Sequence, residues 1–92
     1  MSDTTLENQV FNMIVEKMDL QEIIAEIPEE KLSYDTPLFE SLDPEGIALD
    51  SIAALELVVL LQQNFNLTIQ DEDMIKLTSV TNIANFIRSK NE

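Results

Sequence analysis

Ser51 is the residue of this chain best placed for chemistry. It stands in Leu49-Asp50-Ser51-Ile52, where an acidic stretch containing Gly46 gives way to a strongly apolar run. A serine hydroxyl needs an adjacent base before it acts as a nucleophilic catalyst, and the 92 residues include no His to serve as one. They include no Cys either, so there is no thiol for catalysis, for a disulfide or for a thiolate metal site. The residue types therefore point to chemistry done to Ser51 rather than by it. A plainer reading stands beside this one, since Asp and Ser before an apolar run are common helix N-caps. A helix N-terminus is also an anion site, with unpaired N–H groups and the positive end of the macrodipole. A phosphodiester on Ser51 would be well placed there, and Asp50 would order the serine or a metal-bearing enzyme docked on it.

The elements that must position this serine read as helices. At this length, 1–92 is expected to form a single domain with one modest core. Hydrophobic residues make up 45%, too many for a disordered acidic tail. One Gly and three Pro are too few turn residues for an all-β design. A first helix opens at Thr4-Thr5-Leu6-Glu7, which has capping-box spacing. Its inward stripe is Leu6, Val10, Met13 and Ile14, widened by Phe11 and Met18. Leu20, Ile23, Ile24 and Ile27 either extend it or form a separate turn, and Pro28 stops both versions. From Pro28 to Asp50 the chain reads as a long loop with a helical turn at Glu29 to Leu32. Leu38, Phe39, Leu42 and Ile47 would pin that loop to the core, and loops of such length are often functional. The second helix runs from Ser51 to Phe65 and a short third from Asp71 to Leu77. The fourth follows Ser79, with Val80, Ile83, Ala84 and Ile87 inward and Phe86 beside them. Leu67-Thr68-Ile69 is too short to count as a strand. The expected class is all-α, a four-helix bundle with a long loop between the first and second helices.

On the second helix, Ala54, Leu57, Val58, Leu61 and Phe65 share a core-facing side. The opposite side carries Ile52, Glu56, Val59 and Gln63 at three- and four-residue spacing. A helix apolar nearly all round is either fully buried or presents a partner surface. Glu56 within the outer stripe favours the second reading.

Eighteen acids against five bases give a net charge of −13. Such a field repels nucleic acid and anionic membranes and draws in basic protein partners; the bland alternative is that it serves solubility alone. No apolar run approaches the ~20 residues that span a bilayer, and Met1-Ser2-Asp3-Thr4-Thr5 has no signal-peptide character. A soluble, cytoplasmic monomer is the expectation. Asp43, Glu45 and Asp50 do not meet EF-hand spacing, so no metal site is expected.

At this point the chain resembles the acyl carrier proteins, whose attachment motif is Asp-Ser-Leu or Asp-Ser-Ile at the start of the second of four helices. The likeness runs through Leu49-Asp50-Ser51-Ile52-Ala53-Ala54-Leu55-Glu56-Leu57-Val58-Val59, then Gln62-Gln63-Asn64-Phe65, Ile69-Gln70-Asp71-Glu72 and Thr78-Ser79-Val80. Upstream, Asp35-Thr36-Pro37-Leu38-Phe39 looks like the family's loop signature. The resemblance implies a carrier rather than an enzyme. It implies covalent 4′-phosphopantetheine on Ser51, received from coenzyme A through a phosphopantetheinyl transferase, with acyl groups borne as thioesters in fatty-acid-like or polyketide-like biosynthesis. It also implies that Asp50, Ile52, Glu56 and Val59, with Gln63 on the same stripe, meet basic patches on the transferase and on loading and synthase enzymes. Val58 and Ile75 would line the cleft that shelters an acyl chain.

Two features depart from the family's commonest pattern. Gln62 and Gln63 stand where many members are acidic, which makes the lower docking face less negative unless Asp71, Glu72 and Asp73 compensate. The stretch between Phe39 and Ser51 is longer than usual and contains a second acid-Ser-Leu triplet, Glu40-Ser41-Leu42. Pro44 and Gly46 follow it closely, so no long helix starts there and Ser51 is the chosen site. Two other functions fit the same residues: a carrier of aminoacyl or peptidyl groups, D-alanyl included, and a carrier-like adaptor that is never modified.

Overall fold

A computed structural model gives the architecture of the protein and describes residues 5–42 and 46–90. The expected cap at Thr4 and the residues Asp43, Pro44 and Glu45 lie outside these. Helix α1 spans Thr5–Lys17, α2 Gln21–Glu26, α3 Ser51–Phe65 and α4 Val80–Lys90, with 3-10 segments at Glu29–Lys31 and Asp71–Lys76. The all-α expectation holds, and α3 is the helix that the sequence places second.

Asp19 decides between one long first helix and two. It takes a left-handed φ of 57°, and the Leu20 N–H then reaches back to the Val15 carbonyl at 2.9 Å. This is a Schellman closure, which satisfies a carbonyl at the helix end and turns the chain away. Asp tolerates that backbone region better than most residues. Leu20 is buried by the turn, and α2 follows as a separate helix. Ile27 before Pro28 is extended (φ −85°, ψ 128°), as the proline ring requires of its predecessor.

The core is a helix-on-helix interior closed by the long loop. Val10 and Ile14 from α1, Leu57 and Leu61 from α3, and Val80, Ile83 and Ile87 from α4 are almost completely buried. Leu6, Phe11, Met13 and Met18 pack at the edge of this cluster. Ser79 caps α4 as expected, its Oγ accepting the Asn82 N–H at 3.2 Å. The short third helix expected at Asp71 to Leu77 is present as Asp71–Lys76 and winds as a 3-10 helix. The Asp73 N–H donates to the Gln70 carbonyl at 2.9 Å while the Asp73 carboxylate accepts the Gln70 N–H at 3.1 Å, closing a three-residue turn in which Asp73 is buried. Another contact has no counterpart in the sequence reading. Glu7 of α1 is buried and accepts both Nη groups of Arg88 in α4, joining residues 81 positions apart.

The loop from Pro28 to Asp50 is a strap tied down by hydrogen bonds at its described residues. The Thr36 hydroxyl accepts the Ser33 N–H at 2.8 Å, the Tyr34 carbonyl accepts the Thr81 N–H at 2.9 Å, and the Leu38 N–H donates to the Thr78 carbonyl at 2.9 Å. The last two bonds tie the strap to the start of α4 and the residues just before it. Leu38 and Ile47 are buried and Phe39 half-buried, as expected of pinning residues, and Leu49 joins them. Leu42 departs from that expectation. It is 55% exposed and points away from the core beyond a tight turn.

Candidate functional site

The strap delivers Ser51 by pairing with itself. Phe39 and Leu49 form a parallel β-bridge, with the Leu49 N–H on the Leu38 carbonyl at 2.8 Å and the Glu40 N–H on the Leu49 carbonyl at 3.1 Å. To come back into this register the chain turns at Ala48, whose φ of 56° is left-handed. That conformation costs a residue with a Cβ about 1–2 kcal/mol. It is held because Ile47 and Leu49, on either side, are both buried. Asp50 follows in extended backbone and caps α3, its Oδ1 accepting the Ala53 N–H at 2.8 Å. Ser51 is the first residue of the helix. The cap belongs to Asp50, and the exposed Ser51 hydroxyl takes no hydrogen-bond partner among the described residues.

An open depression of about 470 Å³ lies beside Ser51. Glu40, Ser41 and Asp50 form its polar border with Ser51. Phe39, Leu49, Ala54, Met74 and Ile75 form its apolar side. Ile75 is 79% exposed and reaches the depression as expected of a cleft residue. Val58 packs against the core instead and is not part of this lining. Ser41, rejected as a helix start, sits in a turn closed by the Leu42 N–H on the Phe39 carbonyl at 3.0 Å, yet shares the depression.

The outer stripe of α3 is solvent-facing. Ile52 is 68% and Val59 48% exposed, with Glu56 and Gln63 exposed as well, so full burial of this helix is ruled out. Ile52, Glu56 and Val59 border a second shallow depression of about 410 Å³, with Leu55, Leu60 and Lys17. Leu55, 60% exposed, is a member that the sequence reading missed. Its spacing from Ile52 and Val59 carries the signal, obscured because the surrounding run is apolar throughout. Gln62 is not on this face. Its Oε1 accepts the Ile69 N–H at 2.9 Å, tying the end of α3 to the segment after it, so this side chain has a structural duty. On the core-facing side Leu57 and Leu61 are buried, while Ala54, Val58 and Phe65 are half-buried.

No group of three or more Asp and Glu side chains is gathered as for a metal ion among the described residues. None of the described helices is long and apolar enough to cross a membrane.

Residues 19–87 match the family described as the phosphopantetheine attachment site. Over 73 residues the chain is 33% identical to an acyl carrier protein of Exiguobacterium sp., covering 79% of this chain and 90% of that one. The chain belongs to the acyl carrier proteins. It is similar along nearly its whole length to the acyl carrier protein of Akkermansia muciniphila, at 29% identity over 95% of this chain and 94% of that one. The acyl carrier protein of Buchnera aphidicola is 28% identical over 94% and 92%. Membership in the acyl carrier proteins brings a covalent 4′-phosphopantetheine. The head of α3 fits such a group: an exposed, uncommitted hydroxyl stands at the positive end of a 15-residue helix, next to an apolar hollow.

Proposed function

We propose that Ser51 bears the 4′-phosphopantetheine and that the protein carries acyl intermediates on it as thioesters, in fatty-acid-like or polyketide-like biosynthesis. One observation carries the choice of residue. Asp50 has taken over the capping of α3, so the Ser51 hydroxyl has no structural task and faces solvent. The protein acts as a cofactor-bearing substrate of other enzymes, not as an enzyme. The arm supplies the thiol that the sequence lacks. A phosphopantetheinyl transferase joins the Ser51 oxygen to the phosphorus of the phosphopantetheine, breaking the pyrophosphate link of coenzyme A and releasing the nucleotide part.

The exposed stripe of Ile52, Leu55, Glu56 and Val59, with Asp50 above it and Gln63 below, is the docking face for the transferase and for loading and synthase enzymes. The apolar members supply contact area, and the acidic field of the whole chain speeds encounter with basic patches. The 92 residues act as one carrier domain, a monomer in the cytoplasm.

Intact mass decides the assignment. Apo protein incubated with coenzyme A, Mg²⁺ and a broad-specificity transferase is expected to gain one phosphopantetheine, and Ser51→Ala to gain none. A folded wild-type protein that stays unmodified, or a Ser51→Ala variant that is still loaded, overturns the proposal.

A further inference from the structure

We infer that Ser41 is a positioning residue for the arm, its hydroxyl donating a hydrogen bond to the phosphodiester on Ser51. The inference rests on the assignment of the arm to Ser51. A phosphodiester there is an anion bordered by two carboxylates, Glu40 and Asp50, which accept hydrogen bonds and repel it. The apolar side of the depression has no side-chain donor to offer. Ser51 itself loses its hydroxyl proton when the ester forms. Ser41 is then the remaining hydroxyl on the border, and it has no hydrogen-bond partner among the described residues.

Its place is fixed by the backbone. The turn that holds Ser41 is closed by the Leu42 N–H on the Phe39 carbonyl at 3.0 Å, and Glu40 is tied to Leu49 at 3.1 Å. Leu49 lies two residues before Ser51, so the two serines belong to one braced unit. A bond from Ser41 to the phosphodiester holds the root of the arm toward the Met74 and Ile75 side of the depression. It offsets the repulsion from Glu40 and Asp50 without adding a positive charge to the docking face.

Phosphorus-31 NMR of the holo protein tests this, after peptide mapping has located the arm. With the arm on Ser51, Ser41→Ala is expected to displace the phosphodiester resonance and sharpen it, reflecting a roughly fivefold drop in the ratio of held to free arm for one lost hydrogen bond. Ser41→Thr, which keeps the hydroxyl, is expected to restore the wild-type resonance. Backbone amide spectra of the apo variants should match wild type away from the turn. An arm on Ser51 whose resonance is the same in wild type and Ser41→Ala overturns the positioning role alone. An arm mapped to Ser41, or no arm, overturns the Ser51 assignment and this inference with it.

Discussion

Asp50 and Ser51 divide the head of α3 between them. Oδ1 of Asp50 holds the Ala53 N–H at 2.8 Å, and Ser51 is left with a bare hydroxyl one residue on. Removing the cap with Asp50→Ala should cost about 1 kcal/mol. For a domain of this size that lowers the melting temperature by roughly 4–8 °C, measurable by scanning calorimetry. Asp50→Asn, an equally good cap, should hold the wild-type melting temperature. If Asn melts as low as Ala, the contact is not a cap but depends on charge. At this scale the place of Ser51 at the head of a helix is legible in the sequence, because a hydroxyl before an apolar helix is a local pattern. The duty of Gln62 is not. Its bond to the Ile69 N–H depends on how the chain returns after Asn66, whose left-handed φ of 52° ends α3.

Between Leu38 and Asp50 the strap works as an element in its own right, held by one bridge and by the backbone turn at Ala48. Ala48→Gly removes the Cβ clash but adds freedom to the unfolded chain, so the two effects largely cancel and the melting temperature should stay near wild type. Ala48→Val puts a β-branched side chain where φ is positive, a true outlier for such a residue, and should lose stability beyond the cost Ala48 already bears, seen as an earlier unfolding midpoint in urea followed by circular dichroism. Equal midpoints for Gly and Val would mean that residue 48 does not hold this conformation in solution. The helices themselves are legible from spacing: α3 and α4 occupy the expected residues, the inward positions of α4 are buried, and of those expected on α3 Leu57 and Leu61 are buried while Ala54, Val58 and Phe65 are half-buried. The sequence leaves the break after Lys17 open because a Schellman closure at Asp19 has no strong residue signature without glycine. The 3-10 winding of Asp71–Lys76 was also hidden, since three- and four-residue hydrogen bonding share one apolar pattern over a single turn. Leu42 misled because an apolar residue in a loop reads as an anchor even when the turn carries it outward.

Across the whole molecule, a net charge of −13 accompanies an exposed, largely apolar stripe on α3 in which Glu56 stands among Ile52, Leu55 and Val59. Glu56→Lys should slow the partner reactions more at low salt than at high, because screening confines surface charge to about 8 Å at physiological ionic strength. The check is transferase kcat/KM over a salt series with circular dichroism alongside; a loss independent of salt would place the fault in packing and not in steering. The sequence conveyed this charge and the class of fold, but not the pairing of Glu7 with Arg88. Neither residue carries a local mark of it, since only the packing of α1 on α4 brings them together. That pairing has a temporal meaning. Loop closure across 81 positions is settled late, after the local turns of the strap and α3 are available. On the ribosome, which releases the N-terminal part first, residue 88 must emerge before α1 can latch. The α1–α4 latch therefore closes only once α4 is available to pair, although the serine at the head of α3 stands earlier in the chain.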